Sequence, residues 1–254
     1  MKKLILEAFL LVSVLSFSAE RILSYEETSL DKKTDKVYAI GEEIPYTGVV
    51  KNYKFLSGDR VLEGRIIFKN GLMEGTFKLL YPNGKIASIA TYKNGKTDGI
   101  QKEYYENGQI KMESLAKNNK KNGIGRSYSI TGVLIAEIPF KDDEVDGTIK
   151  TYNEVTGKLE TEGEFKNGKA EGTMKEYYPN GKLAIEEKYQ NDLREGLSKS
   201  YYENGVLKAE KFYKNGKLQG INKIYHSNGK IQMEANFKDD KLEGIVKRYD
   251  ESGK

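Results

Sequence analysis

Cysteine and tryptophan are absent from the 254 residues, histidine occurs once and proline four times. The lack of cysteine excludes a disulfide framework, a Cys-ligated zinc, a thiol nucleophile and a lipid on an N-terminal cysteine. Apolar residues are sparse, 37% against 31% charged, so a large apolar core is not expected. Charge of one sign is missing too. The 42 Lys and Arg nearly balance 38 Asp and Glu, and the resulting +4 is interspersed, which gives no reason to expect a nucleic acid as partner. What is plentiful is glycine, at 26, and tyrosine, at 18.

The start, Met1-Lys2-Lys3 followed by an almost wholly apolar run from Leu4 to Phe17, has the layout of a secretory signal, with Glu7 as its one charged interruption. Ser16 and Ser18 supply small residues for cleavage before Ala19, and cleavage after Ala19 fits nearly as well. Residues 1–18 are thus expected to be a cleaved signal peptide that sends the chain to the periplasm, outer surface or exterior; the alternative is an uncleaved anchor. Residues 19–45 lack the pattern found later and form a linker or N-terminal cap, in which Val37–Ile40 can add one strand.

From Tyr46 onward the chain repeats every 24 residues. A glycine recurs in phase at Gly75, Gly99, Gly123, Gly147, Gly172, Gly196, Gly220 and Gly244, with one extra residue near Val155. Three residues beyond each stands a base, from Lys78 to Lys247, and from the second unit onward a tyrosine follows two further on: Tyr104, Tyr128, Tyr152, Tyr177, Tyr201, Tyr225 and Tyr249. An irregular unit (46–67), seven full units (68–236) and a partial one (237–254) fill this region.

Each unit carries two turn dipeptides, such as Asn83-Gly84 and Asn94-Gly95. Asn-Gly is the strongest signal for a two-residue type I′ hairpin, because both central residues need positive φ. The expected fold is therefore all-β, a single-sheet, elongated, solenoid-like antiparallel meander of tandem 24-residue hairpins. Two-residue turns at both ends would place Lys102 opposite Glu113, Arg126 opposite Glu137, Lys175 opposite Glu186, Lys199 opposite Glu210 and Lys223 opposite Glu234. Such pairs contribute about 0.2–1 kcal/mol each. Lys78 would face Ile89, and the extra residue near Val155 would move Glu162 out of line with Lys150. The same register sets Gly75, Gly172 and Gly220 against Tyr92, Tyr189 and Phe237, which suggests rings covering strand glycines on the buried side.

The basic row is either a phosphate-binding stripe or the dressing of a solvated sheet face, where lysine facing glutamate is ordinary. The tyrosine column on that face is either an aromatic binding ladder or strand filler with wettable hydroxyls. Tyr104, Tyr128, Tyr152, Tyr177, Tyr201, Tyr225 and Tyr249 are the candidate binding residues. No catalytic, cofactor-binding or metal-ligating set stands out. His226 replaces the second tyrosine of sister units such as Tyr178 and Tyr202, and Asp142-Asp143 and Asp239-Asp240 replace Asn-Gly at a turn where Asp tolerates the left-handed region. An enzyme is not expected, and neither is a cofactor.

Units such as Tyr177-Tyr178-Pro179-Asn180-Gly181-Lys182-Leu183, followed by Tyr189 and Glu195-Gly196, resemble the bacterial variant of the MORN repeat. The resemblance covers nearly everything from Tyr46. It implies an antitoxin-like label or, by similarity to eukaryotic members, a membrane-associated or scaffolding role, with no shared catalytic residues. Two functions follow as expectations: an exported, non-enzymatic scaffold that binds protein, glycan or envelope surface, or an antitoxin or immunity-type protein that neutralises a toxin by binding it. N-terminal sequencing of the protein from its native host should find a chain starting at Ala19 or one residue later, and an intact Met1 would contradict the export signal.

Overall fold

The computed structural model describes residues 21–57 and 60–254. The expected signal peptide and its cleavage site lie outside the described residues. The described residues are nearly all-β: one open, mostly antiparallel sheet of 23 strands and a separate two-stranded sheet. The meander of hairpin repeats is the architecture observed. The sequence pattern counts fewer strands, because bulges split several of the long strands into a two-residue piece and a longer one, as at Leu72–Met73 and Gly75–Leu80.

Strand β1 (Ile22–Ser24) runs parallel to β4 (Gly48–Ser57), which pairs antiparallel with β5 (Arg60–Lys69). Between them, β2 (Thr28–Asp31) and β3 (Lys36–Ala39) form the two-stranded sheet, so the strand at Val37 belongs to the cap and does not extend the array. The cap is stitched to the first inter-unit turn by backbone bonds from Val37 N–H to the Gly71 carbonyl (2.9 Å) and from Gly71 N–H to the Tyr46 carbonyl (2.7 Å). Ala39 and Tyr46 pack with Val50, Ile66, Phe68, Phe77, Leu79 and Ala87 into one apolar cluster.

The two turns of each unit differ. At Asn94-Gly95 both residues have positive φ (51° and 78°) and Lys93 faces Lys96, a two-residue type I′ turn. Asp142-Asp143 (52° and 75°) and Asp239-Asp240 (51° and 67°) adopt the same conformation. The other turn corrects the expectation of a second type I′ hairpin. Gly108 N–H bonds the Tyr105 carbonyl and Tyr105 N–H bonds the Gln109 carbonyl (2.8 Å each), closing a three-residue loop in which Gly108, but not Asn107, is left-handed. That is a type I turn followed by a G1 bulge. Pro82 and Pro179, directly before Asn-Gly, are the sequence signal for it, since proline's φ suits the first central position of a type I turn.

The charge register nevertheless matches. Tyr104 faces Ile110 but Glu103 faces Met112, so a one-residue bulge at Lys111 offsets the longer loop and returns Lys102 to Glu113. Two displacements of opposite effect cancel in each hairpin. The extra residue near Val155 is likewise absorbed, in a four-residue loop from Glu154 to Gly157, and Lys150 faces Glu162 after all.

The recurring glycine has a different reason from the one expected. Gly220 does face Phe237, but a Cβ added to it meets no atom within 4 Å, so no ring lies over it. Its φ is +63°, and that of Gly99 is +119°. These glycines sit in wide bulges: from Tyr92 to Ala90 is two residues, while the facing strand runs from Thr97 to Gln101. The acid before the glycine fastens the bulge to the next unit. Glu74, Glu171 and Glu195 each accept the N–H of the first turn residue twenty positions on, Asn94, Asn191 and Asn215, at 2.9, 3.0 and 2.7 Å. A left-handed non-glycine residue costs roughly 1–2 kcal/mol. Gly220→Ala should therefore lower unfolding stability in denaturant by about that amount and Gly220→Asn by less, whereas a glycine kept only for ring cover would tolerate alanine there.

Candidate binding faces

Pairing across successive strands makes one uninterrupted row of alternating charge on the first face: Lys102, Glu113, Arg126, Glu137, Lys150, Glu162, Lys175, Glu186, Lys199, Glu210, Lys223, Glu234 and Lys247. Each glutamate thus lies between two bases. Lys102 Nζ stands 3.0 Å from Glu113, Arg126 Nε 2.9 Å from Glu137 and Lys223 Nζ 3.3 Å from Glu234, while Lys175 reaches back to Glu162 at 3.5 Å. These contacts hold Glu113, Glu137 and Glu162 below the ordinary carboxylate range; the bond from Lys102 is the main cause at Glu113, from Arg126 at Glu137 and from Tyr177 at Glu162. A row whose positive charges are matched so closely offers little to a phosphate.

All seven candidate tyrosines are half-buried beside this row. Four donate their hydroxyls to a glutamate fifteen residues earlier: Tyr128 to Glu113 (3.0 Å), Tyr152 to Glu137 (3.0 Å), Tyr177 to Glu162 (2.6 Å) and Tyr225 to Glu210 (2.8 Å). Tyr104 has Ile89 at the equivalent position and no acceptor there. The second tyrosine of the dipeptide reaches the other way. Tyr105, Tyr178 and Tyr202 donate to the carbonyls of Tyr128, Tyr201 and Tyr225, 23 residues on, at 2.7–2.8 Å. His226 Nε2 meets the Tyr249 carbonyl at 2.9 Å in the same manner, so the single histidine does a tyrosine's structural task. The Tyr-Tyr dipeptide joins units in both directions, and its polar tips are engaged within the chain.

The opposite face carries the bulge glycines, the aromatic column and the side chains between them. At its first end the cap covers it. Farther along none of the described residues forms a second layer on it, and two of the recesses there are rich in apolar side chains. One, of about 380 Å³, is lined by Phe77, Leu79, Tyr92, Gln101, Glu103 and Met112; the other, of about 320 Å³, by Ile149, Gly163, Phe165, Met174, Ile185 and Tyr189, with Glu176 and Glu187. Sequence reasoning took this face for the buried side. It is the more buried one, as Phe77, Ala116, Ala209, Tyr213 and Ala235 show, but covering it throughout would need a layer that 24-residue units do not supply. The first face does expose Ile100, Leu115, Leu197, Phe212 and Ile221 beyond the charged row. Thr148, Glu164, Thr173 and Lys188 break that stripe in the middle.

Among the described residues no group of three His, Asp or Glu side chains is placed to hold a metal ion, and no helix is long and apolar enough to cross a membrane. The sequence model of the MORN repeat variant matches residues 73–94, 97–118, 170–191, 194–215 and 218–239. The chain is a MORN-variant repeat protein. Each matched MORN window begins two residues before a bulge glycine and ends on the first residue of a type I′ turn, so it encloses one hairpin. The units around Arg126 and Lys150 lie outside the windows yet continue the same ladder. MORN repeats are non-catalytic modules that bind proteins or membranes. No curated protein matches the chain.

Burial of the ring, reinforced by the carboxylate that accepts its proton, pushes the phenols of Tyr177 and Tyr225 up to about 12. A phenol whose folded pKa exceeds its unfolded value of about 10 contributes stability that is complete below that value and is lost as pH rises toward 12. An alkaline titration followed by tyrosinate absorbance should show late-ionising phenols. Tyr177→Phe and Tyr225→Phe should each remove one, at a cost near 1 kcal/mol.

Proposed function

We propose that this is an exported, non-enzymatic binding module that docks a protein partner on the open glycine–aromatic face of its MORN array. The observation that carries this reading is the cap. The chain's own residues Ala39 and Tyr46 already lie against this face over Phe68, Phe77 and Leu79, so polypeptide is what the face accepts at the one end where it is occupied. Beyond the cap aromatic, methionine and branched side chains continue on this face with no other described residue over them, and Glu103, Glu176 and Glu187 stand among them. A sheet face that presents aromatic and methionine side chains interspersed with polar and charged ones has the composition of a protein interface.

The tyrosine–glutamate row is the weaker candidate, because a partner would have to displace bonds that the units make to one another. Export rests on the charged and then apolar start of the chain. A photo-crosslinking residue at Met174 or Ile185, expressed in the native host, should give a discrete adduct identifiable by mass spectrometry, and the same residue at Leu197 on the other face should not. Adducts at Leu197 alone would move the interface to the charged face.

A further inference from the structure

Two consecutive units lack the second tyrosine of the dipeptide: Ser129 and Asn153 stand where Tyr81, Tyr105, Tyr178 and Tyr202 stand elsewhere. In those four units the phenol crosses the intervening strand and donates to the carbonyl of the next unit's first tyrosine. Neither replacement does so. Ser129 Oγ bonds Thr131 Oγ1 (2.8 Å) and accepts the Val133 N–H (3.2 Å). Asn153 folds onto its own loop: its Oδ1 accepts the N–H groups of Val155 (3.1 Å) and Thr156 (2.9 Å), and its Nδ2 donates to Glu160 (2.8 Å). At Asn153 the place of the ring is an open recess of about 320 Å³, lined by Leu159, Glu160, Thr161, Tyr177, Tyr178 and Pro179.

We infer that this recess is a subsite for one tyrosine side chain of the partner protein, whose phenol ring lies over Leu159 and Thr161 and whose hydroxyl donates to the Tyr177 carbonyl. The sister units display the occupant's chemistry. A phenol fits between neighbouring units of this array and bonds the carbonyl at the equivalent position, with the oxygens 2.7–2.8 Å apart at Tyr105, Tyr178 and Tyr202. By the repeat, Tyr177 carries the equivalent carbonyl, and both it and Tyr178 line the recess. A carbonyl that an entering ring shields from water discriminates between a phenol and a plain phenyl ring, since the phenyl leaves it unbonded. The recess shares Thr161 and Glu176 with the one around Met174, so a protein lying on the glycine–aromatic face can fill both. The inference rests on that face being the docking surface, but the subsite can be probed without any partner.

The test is an amide NMR titration of the mature chain with N-acetyl-tyrosinamide and, separately, N-acetyl-phenylalaninamide. The tyrosine analogue should produce saturable shifts centred on Leu159, Glu160, Thr161 and Tyr177, with the phenylalanine analogue weaker by about 3- to 10-fold, the range one hydrogen bond supplies. Asn153→Tyr restores the missing ring from within and should abolish the shifts, whereas His226→Tyr, a similar change in a distant unit, should leave them intact. Non-saturating shifts, equal binding of the two analogues, or undiminished binding by Asn153→Tyr would each overturn the subsite. The comparison of analogues needs no variant, so it decides the matter even where Asn153→Tyr fails to fold. Saturable tyrosine binding with no crosslinked partner at Met174 would sink the docking reading and leave the subsite standing.

Discussion

A sheet one layer thick cannot hold its register by packing against a core, so every strand depends on what its turns and its immediate neighbours impose. Left-handed backbone at fixed positions is the constraint from which the rest follows. Asn, Asp and Gly with positive φ make the two-residue turns at one edge, a lone Gly closes the three-residue loops at the other, and a third Gly opens the wide bulge between them. With those points set, each strand can meet its neighbours in only one way, and the same side chains come round every 24 residues.

Once register is set, polar ties do between units what a core does inside a globular domain. At three bulges a glutamate accepts an N–H of the next turn, in four units the first tyrosine reaches back to a glutamate, and the second tyrosine reaches forward to a carbonyl. Turn residues contribute as well. Where the second turn residue is Asn or Asp, as at Asn119, Asp143, Asp192 and Asp240, its side chain accepts a backbone N–H of the preceding unit at 2.7–2.8 Å. The Asp pairs therefore do more than tolerate positive φ. Each tie is worth only about 1 kcal/mol, and their recurrence lets an array with so few apolar residues persist as one sheet.

This division of labour separates the two faces. The charged face spends its tyrosine hydroxyls and glutamates on holding units together, and its charge is cancelled strand by strand. The other face contributes ring, methyl and thioether surface that no other described residue covers past the cap. Where a unit departs from the repeat, as at Ser129 and Asn153, a tie is lost, and at Asn153 space opens. The places where repeats become irregular are thus the places where an otherwise uniform surface acquires individuality.

The 24-residue spacing, the (Asp/Glu)-Gly elements and the Asn-Gly dipeptides were enough by themselves to determine an all-β hairpin array and its facing charges, because turn chemistry and strand alternation are local properties. The pairing of Lys102 with Glu113 could be read from the chain even though the turn type behind it was misread, since a longer loop and a bulge of the same size cancel. Only the tertiary structure decided what those residues do across units. That the Tyr177 hydroxyl belongs to Glu162, that Gly220 answers to backbone conformation and not to Phe237, and that Asn153 leaves a recess all depend on contacts between strands 15 to 24 residues apart. Those contacts follow from how successive bulges and loops offset one another in space, a sum over the whole unit that no single motif contains.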